Sequence, residues 1–181
     1  PDGQTFLLTT SSIAMAPTMY PRLAFEPTRD LTPISLVTEV PIVIATLADN
    51  SIKNLEDLIV RAKAAPGKIT FGSGGVGTGN HLAGELLKKI AKVDLLHVPY
   101  RGTSQSMAGL YAKDIDIIFV SGVDVMPHVK DGKVRVLAVG GREYLRAGPR
   151  LRSKMRAMLH HSPERSYPRV GVPTLVIRGE R

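Results

Sequence analysis

Between Phe71 and His81 the chain reads Phe-Gly-Ser-Gly-Gly-Val-Gly-Thr-Gly-Asn-His, with five glycines between positions 72 and 79. Glycines in that number permit positive φ and let a backbone approach a ligand closely. The residues that follow have helical spacing, so the loop feeds a helix whose first N–H groups lack partners and whose dipole turns its positive end outward. Such a place binds an anion without needing lysine or arginine. Ser73 and Thr78 add hydroxyl donors, and Thr78 is also placed to cap the helix. Candidate ligand contacts are therefore Ser73, Gly75, Gly77, Thr78, Gly79, Asn80 and His81, the last in the first helical turn. One or two glycines would need only a tight turn to explain them. Five, with flanking hydroxyls at the carboxyl end of a parallel strand, favour a ligand site.

The kind of anion is a separate matter. Gly72, Gly74 and Gly77 fit the dinucleotide pattern G-x-G-x-x-G. That pattern also requires an acid about 20 residues on, at the end of the next strand. Asp94 has the spacing but precedes the strand at 95–99, which ends in Pro99-Tyr100. The chain has no G-K-[ST], so no P-loop, and a nucleotide is the less favoured ligand. It also has no G-x-S-x-G elbow for a serine hydrolase.

Two more loops end strands on the same edge. In 98–104 the Tyr100 hydroxyl reads equally as a ligand donor or as part of a rim aromatic packed on its neighbours, and Thr103 or Ser104 reads as a helix cap. In 120–124 Asp124 reads first as a cap and second as a ligand contact. Ser11, just after the first strand, completes the set of candidates. The five histidines share no ligand spacing with acids, so neither a metal nor a cofactor is expected; His97 reads as a packed strand histidine, and Asp114 and Asp116 as solvated.

These residues need elements to hold them. Strands are predicted at 5–10, 34–38, 42–47, 69–73, 95–99, 115–120 and 134–139 from β-branched and apolar runs. Helices are predicted after Ser51, with Leu55, Leu58, Ile59 and Ala62 on one face, after Thr78, at about 104–112, and from Asp124 to Gly132. Strands alternating with helices imply an α/β fold with parallel pairing and helices on both faces. Residues 1–40 read as part of one lobe, 41–138 as a complete α/β lobe, and 139–181 as an atypical basic tail.

Charge follows the same division. Residues 1–141 hold 14 Lys+Arg against 13 Asp+Glu, while 142–181 hold 10 against 3, so nearly all of the net +8 lies in the tail. The body gives no electrostatic support for nucleic-acid binding. There is no Cys, which excludes disulfides and thiolate chemistry and is compatible with an oxidising compartment. No apolar stretch reaches the roughly 18 residues of a membrane span.

The run FGSGGVGTGNHLAGELLKKIAKVDLLHVPYRGTSQSMAGLYAKDIDIIF, with DLTPISLV, PGKITF and GKVRVLAV in order, resembles the substrate-binding receptors of tripartite tricarboxylate transporters, the Bug receptors. The resemblance covers about 1–140. It implies a periplasmic binding protein, type II-like, with two α/β lobes, a complete one here and a partial second. It implies a small organic carboxylate as ligand, transporter subunits in the membrane as partners, and no catalysis. It further implies a leader, a first strand and a Pro-Gly-Gly loop that this sequence does not show, so the 181 residues are expected to bind weakly by themselves. The alternative is a nucleotide-binding or hydrolase-derived enzyme fragment. Val172–Arg181 resembles the α/β-hydrolase strand before the triad acid, and the tail reads as foreign to the receptor family.

Overall fold

The structure, a computed structural model, describes residues 6–36, 41–139 and 175–179. In chain order the strands are β1 (Phe6–Thr9), β2 (Leu31–Leu36), β3 (Ile42–Leu47), β4 (Thr70–Ser73), β5 (Leu96–Pro99), β6 (Ile117–Ser121), β7 (Val134–Val139) and β8 (Leu175–Gly179). The helices are α1 (Ala16–Met19), α2 (Pro27–Asp30), α3 (Leu55–Ala64), α4 (Gly79–Ala91), α5 (Thr103–Ala112) and α6 (Gly122–Lys130), with a 3-10 turn at Ser11–Met15. The chain divides into two compact units, Pro1–Val40 with Pro163–Arg181, and Pro41–Ser162. Among the described residues no helix is long and apolar enough to cross a membrane.

The first unit holds a three-stranded sheet in which β8 lies between β1 and β2, antiparallel to both. The strand read as foreign is thus paired on both sides. The rest of the basic tail, and residues 37–38 at the end of the strand expected at 34–38, lie outside the described residues.

The second unit is a five-stranded sheet in the order β5-β4-β6-β3-β7. β4 pairs parallel with β5 and β6, as the strand–helix alternation predicts. β3 pairs antiparallel with both β6 and β7, so the sheet is mixed and β3 alone is reversed. Nothing in the residues of β3 announces its direction. It is buried on both faces, and a strand of that kind reads the same either way.

Side-chain alternation along each strand splits the core into two layers. Ile44, Phe71, Ile117 and Phe119 face α3 and α4, together with Leu58 and Leu87. Val43, Ala45, Ile118 and Val120 face α5 and α6, together with Leu110 and Val125. Helices therefore cover both faces, as expected.

Three caps differ from the sequence reading. Asn54, not Ser51, caps α3: its side chain accepts from Asp57 N at 2.8 Å, and the Asp57 carboxylate accepts from Lys53 N at 3.0 Å. That reciprocal pair delays the helix, while Ser51 Oγ takes the Arg61 guanidinium at 3.2 Å instead. Ser121, not Asp124, caps α6 by accepting from Val123 N. Gly102, not Thr103 or Ser104, caps α5 with no side-chain bond, and Gln105 Oε1 accepts from Arg101 N at 3.2 Å. The end of α6 is as expected. Gly132 has φ 68°, its N–H reaches Val129 O, and Lys133 N reaches His128 O, which together make a Schellman motif.

Asp116 is not solvated. Its carboxylate accepts from Thr70 N at 2.8 Å and Thr70 Oγ1 at 2.9 Å, and its carbonyl accepts from Thr46 Oγ1 at 2.6 Å. It ties the starts of β4 and β6 to the end of β3. Asp116→Ala will leave the Thr70 donors unsatisfied at a cost of about 2–3 kcal/mol, read as a lower urea midpoint with unchanged slope, whereas Asp116→Asn, which keeps an acceptor, will lose less.

Candidate functional site

β4, β5 and β6 end on one edge of the sheet, and their following loops pack together there. Tyr100 N donates to Ser73 O at 3.1 Å and Gly102 N to Gly74 O at 3.2 Å, so the second loop extends the pairing begun by β4 and β5. Gly122 N donates to Pro41 O at 2.8 Å, tying the β6–α6 junction to the start of β3.

The glycine loop is folded onto its own polar groups. Ser73 is fully buried, and its Oγ accepts from Gly75 N at 3.2 Å and lies 2.7 Å from His97 Nε2. Thr78 caps α4 as expected: its Oγ1 accepts from His81 N at 3.3 Å and donates to Gly75 O at 2.7 Å. Gly77 N donates to His81 Nδ1 at 3.2 Å. Gly75 and Gly77 have φ of 131° and 79°, conformations in which a side chain would be strained.

The head of the helix is different. The N–H groups of Gly79 and Asn80, the first two of the 13-residue α4, have no acceptor among the described residues, and neither has the Asn80 side chain. They sit in the first turn, where the helix dipole is positive. These amides are the candidate contacts for an anion, and the hydroxyls beside them serve to shape the loop. The reading of Ser73 and Thr78 as ligand donors gives way to one in which both hydroxyls are engaged within the loop.

Beneath the loop is a column of rings that the sequence does not advertise. Phe71 and His97 are stacked with centroids 4.7 Å apart, and His97 and His81 are stacked at 4.2 Å. Phe71 also meets Phe119 edge-on at 5.4 Å. The register that pairs Phe71 with His97 across β4 and β5 creates the first stack, and helix α4 brings His81 over the second ring. Burial pushes the His97 imidazole below its ordinary value, and the neighbouring His81 pushes it the same way. His97 is thus the packed strand histidine expected.

The other candidates are elsewhere. The Tyr100 ring runs beneath α5, against Gly72 and with its hydroxyl beside Gly109, and burial with some help from Asp114 raises its pKa. Of its two readings, the packed aromatic describes it. Asp124 is exposed in the first turn of α6, where its carboxylate complements the helix dipole and would repel an anion. Ser11 opens the 3-10 turn of the first unit, and its side chain lies outside the described residues. Among the described residues no cluster of three His, Asp or Glu side chains is arranged to hold a metal.

The family described as tripartite tricarboxylate transporter family receptor matches residues 1–160, further along the chain than the motifs noted in the sequence. A Pseudomonas sp. (strain P51) protein, the UPF0065 protein in the tcbD-tcbE intergenic region, is 36% identical over 138 residues, 76% of this chain and 41% of the relative. BugT of Bordetella pertussis is 31% identical over 144 residues, 76% of this chain and 43% of the relative. The chain spans about half the length of the curated relatives it matches. Among solved structures, the periplasmic binding protein BugD superposes with a TM-score of 0.74 at 27% identity, covering 99% of this chain and 58% of that one. The fold is that of the periplasmic binding proteins, and this chain belongs to the tripartite tricarboxylate transporter receptor family.

Proposed function

We propose that this protein captures a small organic carboxylate in the periplasm, passes it to the membrane subunits of a tripartite transporter, and performs no chemistry on it. The observation that carries the reading is the pair of unpartnered N–H groups of Gly79 and Asn80 at the head of α4, presented by a loop that holds no lysine or arginine. Amides bind a carboxylate by hydrogen bonds and dipole without adding net charge. Two proteins of the same fold bind dicarboxylates: MatC of Rhodopseudomonas palustris was solved with malate (TM-score 0.70, 21% identity) and a second R. palustris protein with adipate (TM-score 0.73, 23% identity).

The contact between Ser73 Oγ and His97 Nε2, at 2.7 Å, has the spacing of a nucleophile and its base. Ser73 is fully buried and its hydroxyl is enclosed by Gly75, so no substrate carbon can approach it. That pair is a loop fastening, which favours a receptor over a hydrolase.

A thermal-shift screen at millimolar malate, adipate, citrate and a nucleotide tests the reading. Carboxylates will raise the unfolding temperature as RT ln(1 + [L]/Kd), and the nucleotide will not. Gly77→Ala, which forces a side chain into left-handed backbone at a cost of about 1–2 kcal/mol, and Thr78→Val, which removes the cap, will each weaken carboxylate binding about tenfold. Stabilisation by the nucleotide alone, or carboxylate binding untouched by both substitutions, would overturn it.

A further inference from the structure

We propose that His81 is a positioning residue for the anion site: its neutral imidazole, by accepting the Gly77 N–H, fixes the loop in the form that frees the Gly79 and Asn80 amides, and protonation of that ring releases the loop. The inference rests on the reading of the loop as an anion site, but its mechanism is visible without any anion.

A backbone N–H can only donate, and Gly77 N lies 3.2 Å from His81 Nδ1, so Nδ1 carries no proton. The ring proton is therefore on Nε2, which lies 3.9 Å from Glu85 Oε1. The same ring stacks on His97 at 4.2 Å, and His97 holds Ser73 Oγ, which holds Gly75 N. Both halves of the loop are thus fastened to one stack, Gly75 through Ser73 and His97, and Gly77 through His81.

The charged and titratable groups facing His81 are few. His97 lies across from it on β5, and Glu85 lies one turn along its own helix. Lys88 pairs with Glu85 at 3.2 Å and reaches Asp94 at 3.8 Å. Phe71, on the far side of His97, carries no charge. A second proton on His81 would set Nδ1–H against Gly77 N–H, two donors with no acceptor between them. It would also lay a positive charge over the second imidazole. Glu85 offsets part of that charge but is already shared with Lys88. Gly77 stands at φ 79°, and its N–H has no other acceptor among the described residues.

The test is nitrogen-15 NMR on the 181-residue chain, first without anion. The Gly77 amide will move together with the His81 ring signals as that ring takes up its second proton. His81→Asn places an acceptor oxygen where Nδ1 was, so the Gly77 amide will keep its high-pH position and stay flat with pH. His81→Phe keeps the stack and removes the acceptor, so the Gly77, Gly79 and Asn80 amides will all move. Adipate affinity, read from the Gly79 and Asn80 amides, will then fall about tenfold in His81→Phe, one net hydrogen bond's worth, and will be largely retained in His81→Asn. A Gly77 amide that ignores the His81 titration, or that still titrates in His81→Asn, would overturn the proposal. If the Gly77 titration behaves as stated while adipate leaves Gly79 and Asn80 unmoved in the unaltered chain, the positioning stands and the anion reading fails.

Discussion

Phe71→Ala will destabilise the five-stranded unit by about 3–5 kcal/mol, the range for removing a fully buried aromatic ring from a packed core. The ring has no exposure, stacks on His97 on one side and meets Phe119 on another, so the space it leaves cannot collapse without moving two strands. Urea unfolding will show the loss as a lower midpoint with unchanged slope. Phe71→Leu will recover much of it, because most of the volume is kept. A loss under about 1 kcal/mol in Phe71→Ala would mean that the ring is not packed as described. The glycine loop feels the same change, since Phe71 is the floor of the histidine stack beneath it.

Gly84→Ala will destabilise the same unit by about 2 kcal/mol net, although alanine in a helix interior is normally better than glycine by about 1 kcal/mol. Gly84 lies in the middle of α4, and a methyl group there would come within 2.3 Å of Phe71 Cε2 and 2.7 Å of Cζ. Because Phe71 is enclosed it cannot retreat, and the helix must lift. Lifting α4 also moves Gly79, Asn80 and His81. The two substitutions share one contact, so the double variant Phe71→Leu with Gly84→Ala will be less destabilised than the sum of the singles. Strict additivity in that cycle would contradict the contact. A gain in stability from Gly84→Ala alone would contradict the close approach of α4 to the sheet.

That contact also marks how far the sequence could be read. β3 and β7 are legible from β-branched runs such as Ile42–Leu47, and the loop at 72–79 is legible from its glycines, because both signals are local. Thr78 as a cap is legible for the same reason. The direction of β3 is not, since burial on both faces carries no polarity. The caps at Asn54, Ser121 and Gly102 were each one of several neighbouring polar or small residues, and the choice among them was made by reciprocal bonds such as Asp57 to Lys53.

The fate of Ser73 and Tyr100 depended on tertiary placement. Ser73 faces His97 because β4 and β5 pair in a particular register, so its hydroxyl points inward. Tyr100 slides under α5 because Gly72 and Gly109 leave room for a ring. A signal for that was present. A glycine inside a helical pattern usually has a packing reason, and Gly84 and Gly109 each lie against an aromatic ring. Asp116 reads as solvated from its type, and only the pairing of β4 with β6 reveals Thr70 as its partner.

The most direct test of the account is a crystal structure of this chain grown with adipate. A carboxylate is expected within about 3 Å of both the Gly79 and Asn80 nitrogens, an ordinary charge-assisted hydrogen-bond distance, with Ser73 and Thr78 still bonded to Gly75 and His81 Nδ1 still facing Gly77 N. A carboxylate bound elsewhere on the chain with those two amides left free would contradict it.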